Sequence, residues 1–275
     1  MKETRSVRFL YHTAFGRFIL KLLTRPFVSR IAGFFLDSFI SRPYIKKFIR
    51  ENGIDMSLYE DRKYKSFNDF FKRRKVSLEV ERDDGKLLSP CDGHLSIYKI
   101  EENSTFEIKN ASYTLPRLLN SEAEAERFRG GYCLVFRLTP LNYHRYSWAC
   151  SGRFDRSERI EGRLHCVRPI AYTELPVFCE NSREVAYIEN DALGRVAQME
   201  VGALLVGKIK NHSVKENVLQ GDEKGYFEFG GSTVILLVEK DRLEIKGELE
   251  QTLNTAVETD VVLGDAIGDC IKVKV

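Results

Sequence analysis

The chain has 275 residues, of which 43% are hydrophobic and 30% charged, so it is long enough to bury a sizeable core and has an ordinary globular composition. Its six cysteines are scattered without a CxxC pair, which argues against a disulfide framework or a zinc site and favours reduced thiols. No apolar run reaches about 18 residues and no secretory signal pattern is present, so we expect neither a transmembrane helix nor a cleaved leader.

The net charge of +3 conceals a basic N-terminal segment. Residues 1–50 hold eleven Lys and Arg against two acidic residues, which gives +9, so the other 225 residues sum to −6. Apolar residues recur at helical spacing from Phe15 to Leu23 and, after Pro26, from Val28 to Phe39. One interpretation is a pair of core helices with solvated basic faces. The other, which we favour and which is compatible with the first, is a pair of amphipathic helices that lie among the headgroups of anionic lipid.

The chain changes character after about residue 75. Asp61–Arg74 is predicted as a third helix with Phe67, Phe70 and Phe71 on one side, and it completes a helical, membrane-binding segment over residues 1–75. Residues 76–275 are predicted to form an antiparallel β-rich catalytic domain, which makes the fold class α+β. The predicted strands are Leu95–Ile100, Tyr132–Leu138, Val196–Val201, Ala203–Ile209, Tyr226–Phe229, Thr233–Val238 and Ile271–Val275.

Four segments of this domain carry residues suited to chemistry. They are the Ser89–His94 turn with Asp92, the Pro140–Trp148 segment with His144, the glycine-interrupted run from Asn181 to Ile209, and the bend Gly230-Gly231-Ser232-Thr233. Each also has an ordinary structural interpretation, as an Asp-Gly turn, a strand-end histidine, a core hairpin and a loop.

The Gly-Gly-Ser-Thr bend permits an unusual reaction. A Ser that follows Gly at a tight bend can attack the carbonyl of the preceding residue, because Gly adds no side chain to block the approach. The peptide bond then becomes an ester, and elimination across that ester can convert the Ser into a pyruvoyl group. The chain would then be a zymogen that makes its own cofactor.

Together and in this order, the motifs resemble the phosphatidylserine decarboxylases, a pyruvoyl-dependent family that makes phosphatidylethanolamine. The resemblance extends over roughly residues 9 to 245. The motifs that carry it are Ser-Phe-Asn-Asp-Phe-Phe from Ser66, Ser-Pro-Cys-Asp-Gly from Ser89, Asn-Tyr-His-Arg from Asn142, Val-Gly-Ala-Leu-Leu-Val-Gly-Lys-Ile from Val201, and Phe-Gly-Gly-Ser-Thr-Val from Phe229.

The resemblance implies a carboxy-lyase that cuts itself between Gly231 and Ser232. The products would be a β chain of residues 1–231 and an α chain of residues 232–275, which begins with the pyruvoyl group derived from Ser232. The family activates this Ser through a Ser-His-Asp arrangement, in which Asp92 matches the Asp. A Schiff base with the amine of phosphatidylserine would then accept the electrons released with CO2, and His144 would serve as acid and base.

The same resemblance gives expectations for partners and place. We expect an α/β heterodimer, with a higher homo-oligomer left open, bound peripherally to anionic membrane on the cytoplasmic face of the cell membrane. Neither a metal nor a nucleic-acid partner is expected, since metal-ligand spacing is missing and the basic N-terminus is interleaved with apolar residues.

The chain departs from the family pattern Asp-Tyr-His-Arg-x-His at two positions, Asn142 and Ser147. Serine cannot act as a base at neutral pH, and Asn cannot carry the charge that would support an imidazolium. Three outcomes follow: His144 serves both self-cleavage and decarboxylation, His94 stands in for the missing base, or the chain does not mature. Gly230 also replaces the Leu of the family's Leu-Gly, a mild change.

Two other functions stay open at this stage. A non-processing homologue would bind anionic phospholipid without turnover, in keeping with Asn142 and Ser147. A pyruvoyl decarboxylase for a small soluble amino acid is a third hypothesis, against which the basic, Phe-rich N-terminus argues.

Overall fold

The structure is rich in short and medium β-strands. It is a computed structural model that describes residues 13, 33–108, 111–163, 165, 176–203, 209–214, 216–228, 232–255 and 257–271. Its strands are β1 (Lys86–Leu88), β2 (Gly93–Lys99), β3 (Thr105–Ile108), β4 (Ala111–Thr114), β5 (Tyr132–Leu138), β6 (Arg145–Ser147), β7 (Gly152–Ile160), β8 (Arg183–Asn190), β9 (Gly194–Val201), β10 (Ile209–Asn211), β11 (Asn217–Val218), β12 (Glu223–Phe227), β13 (Ser232–Val238), β14 (Leu243–Ile245), β15 (Thr259–Val261) and β16 (Ala266–Cys270).

The helices are short. They are α1 (Pro43–Asn52), α2 (Phe67–Phe71), α3 (Leu115–Leu119), α4 (Glu122–Arg127) and α5 (Val177–Glu180), with 3-10 turns at Phe39–Ser41, Met56–Leu58 and Gly247–Thr252 and a helical stretch over 33–37. Pro43 occupies the first turn of α1, and the helix ends at Gly53, whose φ of 61° needs a residue that tolerates the left-handed region. Across the described ranges, every helix is too short or too polar to cross a bilayer.

The largest sheet has eight strands in the order β11-β7-β8-β9-β13-β5-β2-β15. Each neighbouring pair in it is antiparallel. Three smaller sheets have the orders β10-β12-β6, β1-β16-β14 and β3-β4. The prediction of an antiparallel β-rich architecture is therefore confirmed.

Strand β13 lies at the centre of this sheet, and all seven of its residues are buried. Side chains alternate along a strand, so the sheet has one face that carries Ser232, Val234 and Leu236, here named the Ser232 face. The opposite face carries Thr233, Ile235 and Leu237, here named the Thr233 face. Because β13 is covered on both sides, its sequence is apolar without interruption from Val234 to Val238.

Different elements cover the two faces. On the Thr233 face, apolar residues of β3, β4, α3 and α5 pack against the sheet, among them Phe106, Tyr113 and Phe178. On the Ser232 face, Tyr146 and Phe227 of the β10-β12-β6 sheet contribute to the second core, together with residues of β14 and β16. The candidate site therefore lies beneath the small β10-β12-β6 sheet.

The described helices before β1 form their own apolar cluster. Ile45 of α1 and the three phenylalanines of α2 are buried together. Lys72, which follows α2, is bound to the β-rich part by Arg145. The Arg145 guanidinium donates hydrogen bonds to the Lys72 carbonyl at 3.0 and 2.9 Å and pairs with Glu223 at 2.7 Å. The segment that follows α2 is thus anchored directly beside β6.

The predicted helix over Asp61–Arg74 was wrong in extent. Within this range only Phe67–Phe71 is helical. The helix begins after Ser66, whose Oγ accepts a hydrogen bond from the Asp69 amide at 3.1 Å and so caps the helix N-terminus. Tyr59 forms a β-bridge with Lys75, so the chain doubles back around α2.

Other predictions on local structure have mixed outcomes. Strands predicted at Tyr132–Leu138, Leu95–Ile100, Val196–Val201 and Thr233–Val238 are confirmed within two residues at each end. Of the strand predicted over Ile271–Val275, Ile271 is not in a strand, and the described strand nearest to it, β16, ends at Cys270. The helix predicted over Phe15–Leu23 lies outside the described residues, as do most of Ala203–Ile209 and residues 272–275.

Candidate active site

Ser232 is the first residue of β13 and is fully buried. It pairs with Leu138, the last residue of β5, so the two strands are in register at this end of the sheet. Within the described part of the chain, its Oγ makes no hydrogen bond. A buried hydroxyl without a partner is unfavourable, so this one calls for an explanation. Gly230 and Gly231, which complete the predicted cleavage site, lie outside the described residues.

Asp92 lies at the same end of the sheet as Ser232. Asp92 immediately precedes β2, which pairs with β5 on the side opposite to β13, and His94 of β2 is opposite Arg137 near the end of β5. Asp92 and Ser232 therefore lie on either side of the end of β5. The Asp92 carboxylate accepts a hydrogen bond from the Leu263 amide at 3.0 Å and pairs with Lys75 Nζ at 3.2 Å.

His144 follows β5 by six residues and is buried. Its Nδ1 is 2.8 Å from the Asn142 carbonyl oxygen, which can only accept, so Nδ1 carries a hydrogen; when the ring is neutral, the lone pair is therefore on Nε2. The imidazole ring packs on the Phe71 ring of α2, with the ring centroids 3.9 Å apart. The backbone carbonyl of His144 accepts a hydrogen bond from the Phe227 amide at 2.9 Å. The imidazole is therefore held in one orientation close to the strand that leads to Ser232.

Asn142 does not need a charge in this arrangement. Its backbone carbonyl, not its side chain, orients His144. The Asn142 side chain instead accepts hydrogen bonds from the amide and hydroxyl of Thr139, both at 2.7 Å, and so closes the turn after β5.

Ser147, at the position where the resemblance leads us to expect a second histidine, lies against the turn that contains Asp92. Its amide donates to the Pro90 carbonyl at 2.8 Å, and its Oγ is 3.4 Å from the same oxygen. The partner of Asp92 is instead Lys75, whose ammonium group also lies 4.8 Å from the centre of the Tyr143 ring. A carboxylate–ammonium pair therefore replaces the expected carboxylate–imidazole pair.

His94 lies on the wrong side of the sheet to assist Ser232. Arg137 is opposite both His94 and Thr233, which places all three on the Thr233 face. The His94 Nδ1 contacts Asp260 of the edge strand β15. The structure thus gives no support to the prediction that His94 stands in for the missing base.

A second pair of buried charges was missed by the sequence analysis. Glu200 of β9 and Lys224 of β12 are in contact beneath the small sheet, and their side chains are 0% and 1% exposed. Burial of a carboxylate is costly, so it is rare unless the carboxylate is paired. The sequence did contain a signal for this pair, because Glu200 lies between Met199 and Val201 at the end of the predicted strand Val196–Val201.

The site as a whole gathers a buried serine, a histidine with an oriented lone pair and two paired carboxylates around one end of an antiparallel sheet. A buried nucleophile at the same end of a sheet as groups that can accept a proton is typical of enzymes that use a serine as nucleophile. Comparison with known proteins specifies the family.

The sequence profile of the family described as phosphatidylserine decarboxylase matches residues 67–269. The chain is 43% identical to phosphatidylserine decarboxylase proenzyme 2 of Clostridium acetobutylicum over 269 residues, which is 96% of this chain and 91% of that relative. It is 39% identical to the proenzyme of Ruminiclostridium cellulolyticum over 97% of this chain and 92% of that relative, and 38% identical to one from Clostridium botulinum over 94% and 90%. The chain therefore belongs to the phosphatidylserine decarboxylase family.

Proposed function

We propose that this chain is a self-cleaving phosphatidylserine decarboxylase, which converts phosphatidylserine to phosphatidylethanolamine and CO2. The observation that carries the proposal is Ser232, a fully buried hydroxyl that follows two glycines and makes no hydrogen bond to the described residues. Its unfavourable burial is explained if the hydroxyl is kept for reaction with the preceding carbonyl. Membership of the family, whose relatives are named proenzymes, supports the same chemistry.

Self-cleavage before Ser232 would produce chains of residues 1–231 and 232–275, and the second would begin with a pyruvoyl group. Such a group withdraws the electrons that are released when CO2 leaves an amino acid, so no pyridoxal phosphate is needed. The position suits it, because β13 is fixed between β5 and β9 and is shielded from water. Shielding from water strengthens the polar interactions that the chain makes there.

His144 is the residue that we assign to proton transfer during decarboxylation. Loss of CO2 leaves electron density on a carbon that must receive a proton, and His144 Nε2 is a suitable carrier near neutral pH. The contacts to Asn142 and Phe71 hold the ring in place, so it need not reorganise when the substrate enters.

The first test is the fate of the purified full-length chain. Two fragments are expected on a denaturing gel, and the smaller one should resist N-terminal sequencing because a pyruvoyl group has no amine. Intact-mass measurement of that fragment checks the conversion of Ser232. An active preparation that holds only the uncut chain of 31.7 kDa would contradict the proposal. An uncut, inactive chain that still binds anionic phospholipid would instead support the non-processing alternative.

We further propose that the segment before β1 binds the cytoplasmic face of the membrane peripherally. The described part of this segment exposes Phe34 (81%) and Phe39 (75%) beside Arg42, Lys46 and Lys47. Exposed aromatic residues next to cations are suited to the interface of an anionic bilayer, and the cytoplasmic leaflet carries such lipids. This surface would bring the site close to a two-tailed substrate.

Substituting Phe34 and Phe39 together with aspartate in the full-length chain is expected to weaken binding to vesicles that contain phosphatidylserine by at least about tenfold. Each buried phenylalanine contributes about 1.5–3 kcal/mol, and about 1.4 kcal/mol corresponds to a factor of ten. Sedimentation with vesicles measures the effect. Leu219→Asp is the control, since Leu219 is also exposed but follows the edge strand β11. Equal binding by the double variant and the wild type would contradict the proposal.

A further inference from the structure

Glu200 has one carboxylate oxygen that is engaged and one that is not. Oε2 contacts Lys224 Nζ and accepts a hydrogen bond from Asn211 Nδ2 at 3.1 Å. Oε1 is buried and makes no hydrogen bond within the described ranges. Since a buried anion normally satisfies both oxygens, the open one marks a place where a proton donor is expected.

Ser232 is a reactive group on the strand next to Glu200. Val234 is opposite Glu200 and Thr233 is opposite Val201, so Glu200 and Ser232 lie on the same face as diagonal neighbours on adjacent strands. Diagonal neighbours are about 7–8 Å apart at the backbone, within reach of a long side chain. The pairing of β9 with β13 begins with Thr233 opposite Val201, so the residue that follows Val201 toward Ser232 is Gly202, which has no side chain to place between the carboxylate and the hydroxyl.

We propose that Glu200 accepts the hydroxyl proton of Ser232 during self-cleavage and that Lys224 keeps this carboxylate ionised. In the step, the Ser232 Oγ–H proton moves to Glu200 Oε1 while Oγ bonds to the Gly231 carbonyl carbon. The Gly231–Ser232 C–N bond then breaks, and the released amine takes up the proton. The step is an N-to-O acyl shift without oxidant, reductant or water, and it rests on the self-cleavage proposed above.

Glu200 provides a proton acceptor for Ser232 in a chain that has serine, and not histidine, at position 147. Serine at position 147 cannot accept a proton, and His94 lies on the opposite face. Glu200 is on the same face and at the same end of the sheet as Ser232, where β9 ends and β13 begins. Lys224 is a positioning residue here, because it acts on Ser232 only through Glu200.

The charges around Glu200 make it a stronger base than a carboxylate in water. Burial raises the pKa of Glu200 and the neighbouring Glu184 of β8 adds to this, while Lys224 of β12 opposes it. Two other titratable groups face it, Tyr146 of β6 and Cys91 before β2, and both have pKa values raised by burial, so they stay neutral. The Glu200 charge also contributes to the rise in the pKa of Cys91.

The role of Lys224 gives a pH signature that a purely structural role would not produce. Lys224 lowers the pKa of Glu200, so its removal raises that pKa further. In Lys224→Met a larger fraction of the carboxyl would be protonated at a given pH than in the wild type, and cleavage would recover as the pH rises through the raised pKa. The cleavage rate of this variant should therefore climb with pH over a range where the wild-type rate is already level.

The experiment follows cleavage of full-length chains made by cell-free translation, sampled over time between pH 6 and pH 9. Glu200→Gln is expected to slow cleavage at least about 100-fold, the usual lower bound for loss of a general base. Glu184→Gln is the matched control. Glu184 of β8 is directly opposite Glu200 on the same face of the sheet and also accepts a hydrogen bond from Asn211, but its strand is one further from Ser232. It should cleave within about threefold of the wild type.

A double variant, Glu200→Gln with Lys224→Met, removes both buried charges and so avoids an unpaired Lys224 that could unfold the chain. If this variant folds cooperatively and stays uncut, the proposal is supported. Cleavage of folded Glu200→Gln or of the double variant at the wild-type rate would overturn it, as would a Lys224→Met rate depressed equally at every pH. If the wild type itself never cleaves, the proposed function fails, which is a different result.

Discussion

Replacing Ser232 with alanine is expected to leave one uncut chain and to abolish CO2 release from phosphatidylserine. Alanine has no hydroxyl to attack the Gly231 carbonyl, so the pyruvoyl group cannot form. Without an electron sink the rate should fall by at least about 10⁶-fold, the lower end of enzymatic acceleration. The fold should persist, because the hydroxyl makes no hydrogen bond to the described residues. Intact mass and release of labelled CO2 measure the two effects.

Ser147→Ala is the matched control for this variant. Ser147 is 2% exposed and Ser232 is 0% exposed, so the two substitutions remove the same group from similar surroundings. Among the described residues, the Ser147 Oγ makes a single weak contact, at 3.4 Å from the Pro90 carbonyl oxygen, and its loss should leave cleavage within about threefold of the wild type. Fragments from Ser232→Ala would show that the chain is cut elsewhere or by another protease.

The sequence predicted the centre of the fold well because local pattern and tertiary position agree there. Strands β5 and β13 are apolar, rich in branched residues and buried on both faces, so their bounds were predicted to within one residue. Ser232 was predicted in the bend just before the strand predicted over Thr233–Val238, and the structure begins β13 one residue earlier, at Ser232 itself.

The edge of the sheet was much harder to predict. Strand β7 alternates between partly buried and exposed residues, and several of its side chains are charged. One of their partners is distant in sequence: Arg156 pairs with Glu124 of α4 at 2.7 Å, as well as with Glu158 of its own strand at 2.6 Å. No hydrophobic period marks such a strand, because ion pairs with another element replace apolar burial.

Contacts within the site were also beyond the sequence, for a related reason. Lys75 and Asp92 are 17 residues apart in the chain, with β1 between them, and only the folded chain brings them to 3.2 Å. Glu200 and Lys224 lie on different sheets. Motifs identify which residues carry chemistry, but the pairing of charges depends on how the small β10-β12-β6 sheet lies over the Ser232 face.

Replacing His144 with glutamine is expected to give a chain that still cuts itself but decarboxylates phosphatidylserine about 10²–10⁴-fold more slowly. Glutamine keeps polar atoms in the space of the ring but cannot take up and return a proton near neutral pH. Cleavage should continue, because Glu200 is positioned to receive the Ser232 proton from the same face of the sheet. Single-turnover release of CO2 by the processed variant separates this effect from weaker substrate binding.

His94→Gln is the matched control for the His144 variant. His94 belongs to the same end of the sheet, but it lies on the Thr233 face and contacts Asp260, so both cleavage and decarboxylation should stay within about threefold of the wild type. An uncut His144→Gln chain that folds normally would assign the Ser232 proton to His144 and would contradict the role given to Glu200. A processed and fully active His144→Gln chain would instead move decarboxylation to another proton carrier, for which Lys75, paired with Asp92 beside Tyr143, is the next group to substitute.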